Sequence, residues 1–207
     1  MIIRRFLLVL IVASVTTSAG CASGSYAAKG ASQGATTGAV AGAVGGMMTA
    51  LIFGGNVANA GARGAVYGGT TGAVVGGMSG SRVDQAAAEQ KQAERQKEIE
   101  RFKKEVGPDA FNGVVALAEC KHEIAIANAR EAVKSKNANH SLAGVWVQIL
   151  TEADRKNDAK ARALYPELIS RDREVKSDAD AESRMREALQ EVHSIRQEYD
   201  LPVECAG

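Results

Sequence analysis

The feature that most restricts what this chain can fold into is a glycine at every fourth position, twice over. In GASQGATTGAVAGAVGG the glycines stand at Gly30, Gly34, Gly38, Gly42 and Gly46; in GAVYGGTTGAVVGGMSG they return at Gly64, Gly68, Gly72, Gly76 and Gly80, an offset of 34 residues. The two stretches agree at 10 of 17 positions, which marks an internal duplication. A spacing of four returns a side chain to nearly the same helix face, so each run predicts a helix with a groove that lacks Cβ atoms. A second helix can enter such a groove closer than the usual ~8–10 Å. A flexible linker would fill its gaps with Ser, Pro and charge. These gaps hold Ala, Val, Thr and Met, and no charged residue lies between Gly30 and Ala62. The competing reading is a disordered Ala/Gly tether.

Energetics narrow where such helices can exist. Glycine costs about 1 kcal/mol relative to Ala at a helix-interior position, so ten of them weigh on the order of 10 kcal/mol against helix in water. In a bilayer an unbonded amide costs several kcal/mol, which enforces the helix and leaves the groove free to pack. The runs are therefore expected in lipid or in a dry interface, as two helices over about 30–53 and 64–80 joined by a turn at Gly54-Gly55-Asn56. Both are only mildly apolar, and the second is near the lower length limit for a span.

Composition divides the chain near residue 82. Of 22 glycines, 17 lie between Gly24 and Gly80, whereas all 24 acidic residues lie at Asp84 or later. The part from Arg82 onward carries 21 Lys+Arg against 24 Asp+Glu, a net charge of −3, and the whole chain +1. No basic field for nucleic acid exists, so no nucleic-acid partner is expected.

The amino terminus reads as an address. MIIRRFLLVLIVASVTTSAGC has a basic start at Arg4 and Arg5, an apolar run from Phe6 to Val15 too short to span a bilayer well, and small residues before a cleavage point. Ser18-Ala19-Gly20-Cys21 resembles the lipobox of bacterial lipoproteins, with Ser18 where that pattern usually has Leu. The resemblance implies removal of residues 1–20 and acylation of Cys21, which then anchors the chain in membrane lipid. Ala22 after the Cys, in place of Asp, implies passage to the outer membrane. Cys21 followed by two glycine runs is also similar to the glycine-zipper lipoproteins typified by the rickettsial 17 kDa surface antigen. That resemblance covers residues 21–81 and implies a two-span zipper hairpin.

The second half is expected to be all-helical. A charged helix over about 84–105 carries a narrow stripe of Ile99, Phe102 and Val106 and an i,i+4 pair of Glu100 with Lys104. Gly107-Pro108 stops it. Further helices are expected over about 111–134 with a break near 119–122, then 142–153, 159–175 and 179–199, with Pro202 beyond the last. Ala125, Ala129, Glu131, Ala132 and Val133 align with Ala161, Tyr165, Glu167, Leu168 and Ile169 at an offset of 36. This weakly resembles tetratricopeptide-type helical pairs, which would imply a protein-binding groove. The expected organisation is a signal peptide (1–20), an anchor and tether (21–29), a zipper hairpin (30–81), a charged linker helix (82–106) and a helical domain (107–207).

With Cys21 lipidated, Cys120 and Cys205 remain, an even number in a compartment where disulfides persist. A bond between them is expected. No phosphate loop, nucleophile elbow or zincin motif is present, and His122, His140 and His193 are scattered in sequence. Cys120 and His122, two apart, would point to different faces of a helix, so no metal, cofactor or catalytic residue is expected. Trp146 and Tyr165 are expected in the core. The functional expectation is an outer-membrane lipoprotein with a periplasmic helical domain and a structural, non-enzymatic role. It would self-associate through the zippers. The alternatives are a tethered interaction module for an envelope protein and a membrane-permeabilising zipper oligomer.

Overall fold

The computed structural model describes residues 26–69 and 82–205. Cys21, Gly72, Gly76 and Gly80 therefore lie outside the described residues, and Gly30, Gly34 and Gly68 are described by backbone alone. Among the described residues all regular structure is helical, and no helix is long and apolar enough to cross a membrane.

Helix α1 (Tyr26–Phe53) runs unbroken for 28 residues through the first glycine run. It ends at the expected turn, where Gly54 and Gly55 adopt φ of +80° and +140°, values open to glycine at little cost. Asn56 then caps α2 (Val57–Gly69), its Oδ1 accepting from the Asn59 amide at 2.7 Å. That cap starts α2 seven residues before the expected 64, so the loop shrinks to three residues. Antiparallel to α1, α2 packs with its backbone almost in contact: a methyl on Gly46 would collide with the carbonyl oxygen of Ala60, and one on Gly64 with that of Gly42.

The remaining helices close around this pair. Helix α3 (Arg82–Val106) lays Phe102 across Gly45, whose absent Cβ would stand 2.6 Å from the ring. Its surface pairs include Glu100 with Lys103 at 3.0 Å, one residue short of the expected Lys104. The break after Gly107 leads to α4 (Pro108–Ala118), α5 (His122–Val133) and α6 (Ala138–Asp154). Small residues set their spacing, since a Cβ on Gly144 would meet the Ala129 carbonyl at 2.7 Å and one on Gly113 would meet Val147 at 3.1 Å. The helix expected over 159–175 is two short ones, α7 (Asp158–Ala163) and α8 (Tyr165–Arg171), because Pro166 lacks the amide that would continue the ladder through Leu164. Finally α9 (Asp178–Glu198), capped by Ser177, crosses α1 and α2 as well as α4, α6 and α8.

All these elements share one apolar cluster. Val44, Met47, Met48 and Leu51 of α1 are fully buried together with Val114, Leu117, Trp146, Leu150, Leu168 and Val192 from the second half. The compositional boundary near 82 is thus not a boundary in packing. Polar ties reinforce the junction: the Thr49 hydroxyl donates to Glu105 at 3.2 Å, and Arg184 of α9 donates to the Ala50 carbonyl at 3.4 Å. Trp146 and Tyr165 are core residues as expected, the indole donating to Asp172 at 3.0 Å.

Candidate functional site

The densest polar cluster forms where α4, α6 and α9 end together. Arg196 follows Val192 by four residues, so it extends the buried stripe of α9 inward and is completely shielded from solvent. Its guanidinium caps α4, donating from Nε to the Ala118 carbonyl at 3.1 Å and from Nη2 to that of Leu117 at 2.6 Å. It also grips Asp154, the last residue of α6, with Nη1 to Oδ1 at 2.9 Å and Nη2 to Oδ2 at 2.7 Å. A fifth bond reaches the Val203 carbonyl of the carboxy-terminal tail at 3.2 Å. A buried carboxylate at a helix C-terminus opposes both solvation and the helix dipole, and the bidentate Arg offsets both.

Two histidines complete the surround of Asp154. His122, the first residue of α5, lies with Nε2 2.7 Å from Oδ2, and His193 of α9 with Nε2 3.3 Å from Oδ1. Burial pushes the Asp154 carboxyl up, but hydrogen bonds from Arg196, His122 and His193 together with the Arg196 charge outweigh it and hold the group down at about 2. Two of the three histidines scattered in sequence, His122 and His193, thus converge on Asp154; His140 stands apart, its ring against Gly107 and its Nε2 3.0 Å from the Lys104 carbonyl.

Cys120 and Cys205 are joined in the expected disulfide, with Cα atoms 5.4 Å apart, and this ties the tail to the end of α4. The Cys205 sulfur lies 3.3 Å from Asp154 Oδ2. Being oxidised, it carries no hydrogen to donate, so this is a packing contact. Cys120 is not helical: it occupies a tight turn at φ +60°, which sends the chain sharply from α4 into α5. Contrary to the expectation, Cys120 and His122 do not share a helix, and helical spacing does not send them to different faces. Donor atoms of His122, Asp154 and Cys205 lie within 4.8 Å of one another, beside a surface cavity of about 710 Å³.

The described zipper positions fall elsewhere, on α1 and α2. Gly42, Gly46 and Gly64 serve the α1–α2 contact and Gly38 is half-buried. The structure adds Gly45, outside the four-residue register, as the seat of Phe102. No protein-family model matches the chain, and neither a curated protein nor a solved structure is similar to it.

Proposed function

We propose that the chain is an envelope lipoprotein of a Gram-negative bacterium, acylated at Cys21 and seated in the outer membrane. Its role is structural rather than enzymatic, with the helical body on the periplasmic side. One observation supports this most: four residues separate Cys21 from Tyr26, where α1 begins, and the far half of α1 is core of the helical body. Anchor and body are then linked by the near part of one stiff helix, residues 26–38, about 20 Å at 1.5 Å per residue. Such a strut would hold the body at a set reach from lipid, as a spacer or scaffold requires.

The glycine faces at Gly42, Gly46 and Gly64 are occupied within the chain, which favours a tethered helical body over an oligomer built through those positions. Recruitment of an envelope protein is a second reading, favoured by Phe53, a large apolar residue 52% exposed at the α1–α2 turn. Palmitate labelling with membrane fractionation tests the anchor. The wild type should take up label and sediment with outer membrane, and Cys21→Ala should do neither. Equal fractionation of both without label in either would overturn the proposal.

A further inference from the structure

The geometry points to a second state of the polar cluster, in which reduction of the Cys120–Cys205 bond creates a zinc site. Its ligands are the sulfurs of Cys120 and Cys205 and the ring nitrogen of His122 that does not face Asp154. The fourth position opens to the cavity and takes water. Sites with three protein ligands and one open position are a standard arrangement for this ion.

Five observations converge on these residues. His122 is bonded through Nε2 to Asp154 at 2.7 Å, and a histidine whose second nitrogen is held by a carboxylate is the usual oriented metal ligand. The charge of Asp154 is already satisfied by Arg196, so the carboxylate can orient His122 without itself being needed on the metal. Two thiolates then balance one Zn²⁺, and the Asp154–Arg196 pair adds no net charge. The spacing of the two sulfurs allows it: two Zn–S bonds of about 2.3 Å at a tetrahedral angle place the sulfurs about 3.8 Å apart. Cα atoms 5.4 Å apart accommodate this by side-chain rotation. Both cysteines lie outside helices, Cys120 in the turn before α5 and Cys205 in the tail after α9, so neither is fixed by a helical ladder. The cavity lined by Cys120, His122, Asp154, His193 and Cys205 gives the ion a path from solvent.

The chemistry balances with a dithiol as reductant. Its thiolate attacks one sulfur of the disulfide and expels the other, and its second thiol closes a cyclic disulfide. Two electrons and two protons thereby pass to Cys120 and Cys205. Zn²⁺ then displaces the two thiol protons to solvent.

The test uses the full chain carrying Cys21→Ala, so that Cys120 and Cys205 are its only thiols. The protein is reduced with dithiothreitol, freed of it anaerobically, and titrated with Co²⁺ and then Zn²⁺. The expected result is one Co²⁺ per chain with a thiolate-to-cobalt charge-transfer band that Zn²⁺ abolishes, and no such band before reduction. His122→Ala should weaken binding at least about tenfold. His193→Ala, which also touches Asp154, should change it less than about twofold, since the site does not use that ring as a ligand. Lack of the band in reduced protein that retains helical circular dichroism overturns the proposal, as does an unchanged affinity in His122→Ala. If reduction unfolds the chain, Zn²⁺ should restore the helix content, and failure to do so overturns it equally.

Discussion

Two glycines three residues apart on α2 should respond to the same substitution with opposite sign. Gly64→Ala and Gly61→Ala each gain about 1 kcal/mol of intrinsic helix propensity. At Gly64 the new methyl meets only backbone of α1: it collides with the Gly42 carbonyl oxygen and stands 2.8 Å from the Gly42 carbon and 3.2 Å from Ala43 Cα. Backbone cannot rotate aside, so the helices must part, and overpacking of this kind costs about 1–3 kcal/mol, for a net loss of up to about 2 kcal/mol. At Gly61 the obstacle is the Glu191 side chain, which can swing outward because it is half-buried at the edge of α9. Gly61→Ala should therefore be neutral or stabilising by up to about 1 kcal/mol. Urea unfolding followed by helical circular dichroism compares the two. Burial first, and then the charges of Glu198 and Glu187, push the Glu191 carboxyl up from its ordinary 4.5. The stability tied to that raised value is full below the ordinary value and lost as pH rises through the folded one, and Gly61→Ala should flatten this dependence. Equal stabilisation by both substitutions would refute the close packing of α1 on α2.

Two further outcomes follow from single side chains. Asp154 is held at about 2 against an ordinary 3.8, so its contribution is present above about pH 4 and lost as pH falls towards 2; Arg196→Met should raise the acid-unfolding midpoint and, by leaving a buried carboxylate without its guanidinium, cost about 3–5 kcal/mol at neutral pH. Phe102→Ala empties the seat over Gly45 and should cost about 3–5 kcal/mol in denaturant titration, whereas a purely solvated α3 would lose almost nothing.

Local signals carried the elements well. Gly54-Gly55-Asn56 marked the turn because two residues there need positive φ and the third can cap, and Gly107-Pro108 marked the end of α3 for similar reasons. Once Cys21 is set aside, two cysteines allow one pairing. What covers α1 was not legible, because a groove without Cβ atoms and a mildly apolar stripe suit lipid and a dry protein interface alike. The choice is made by Phe102 and by the apolar faces of α4, α6 and α9, far away in sequence. The Asp154 cluster was hidden for the same reason, its members lying up to 85 residues apart at the disulfide. A signal existed nonetheless: Arg196 stands four residues after Val192 and Asp154 four after Leu150, each a charge on the buried ladder of its helix, where burial without a partner is unfavourable. Pro166 could likewise have split the helix expected over 159–175.

The placement of α1 at the centre of the core has a consequence for how the protein is made. Ala50 and Arg184, which bond across the α1–α9 junction, are 134 residues apart. Synthesis proceeds from the amino terminus, so the apolar face of Val44, Met47 and Leu51 is complete long before the last surface that covers it exists. Throughout that interval this face is apolar surface without its final cover. Any apolar surface met in that interval competes with the finished core for one and the same face. Early arrival of the carboxy-terminal helices therefore protects the chain from misassembly through that face.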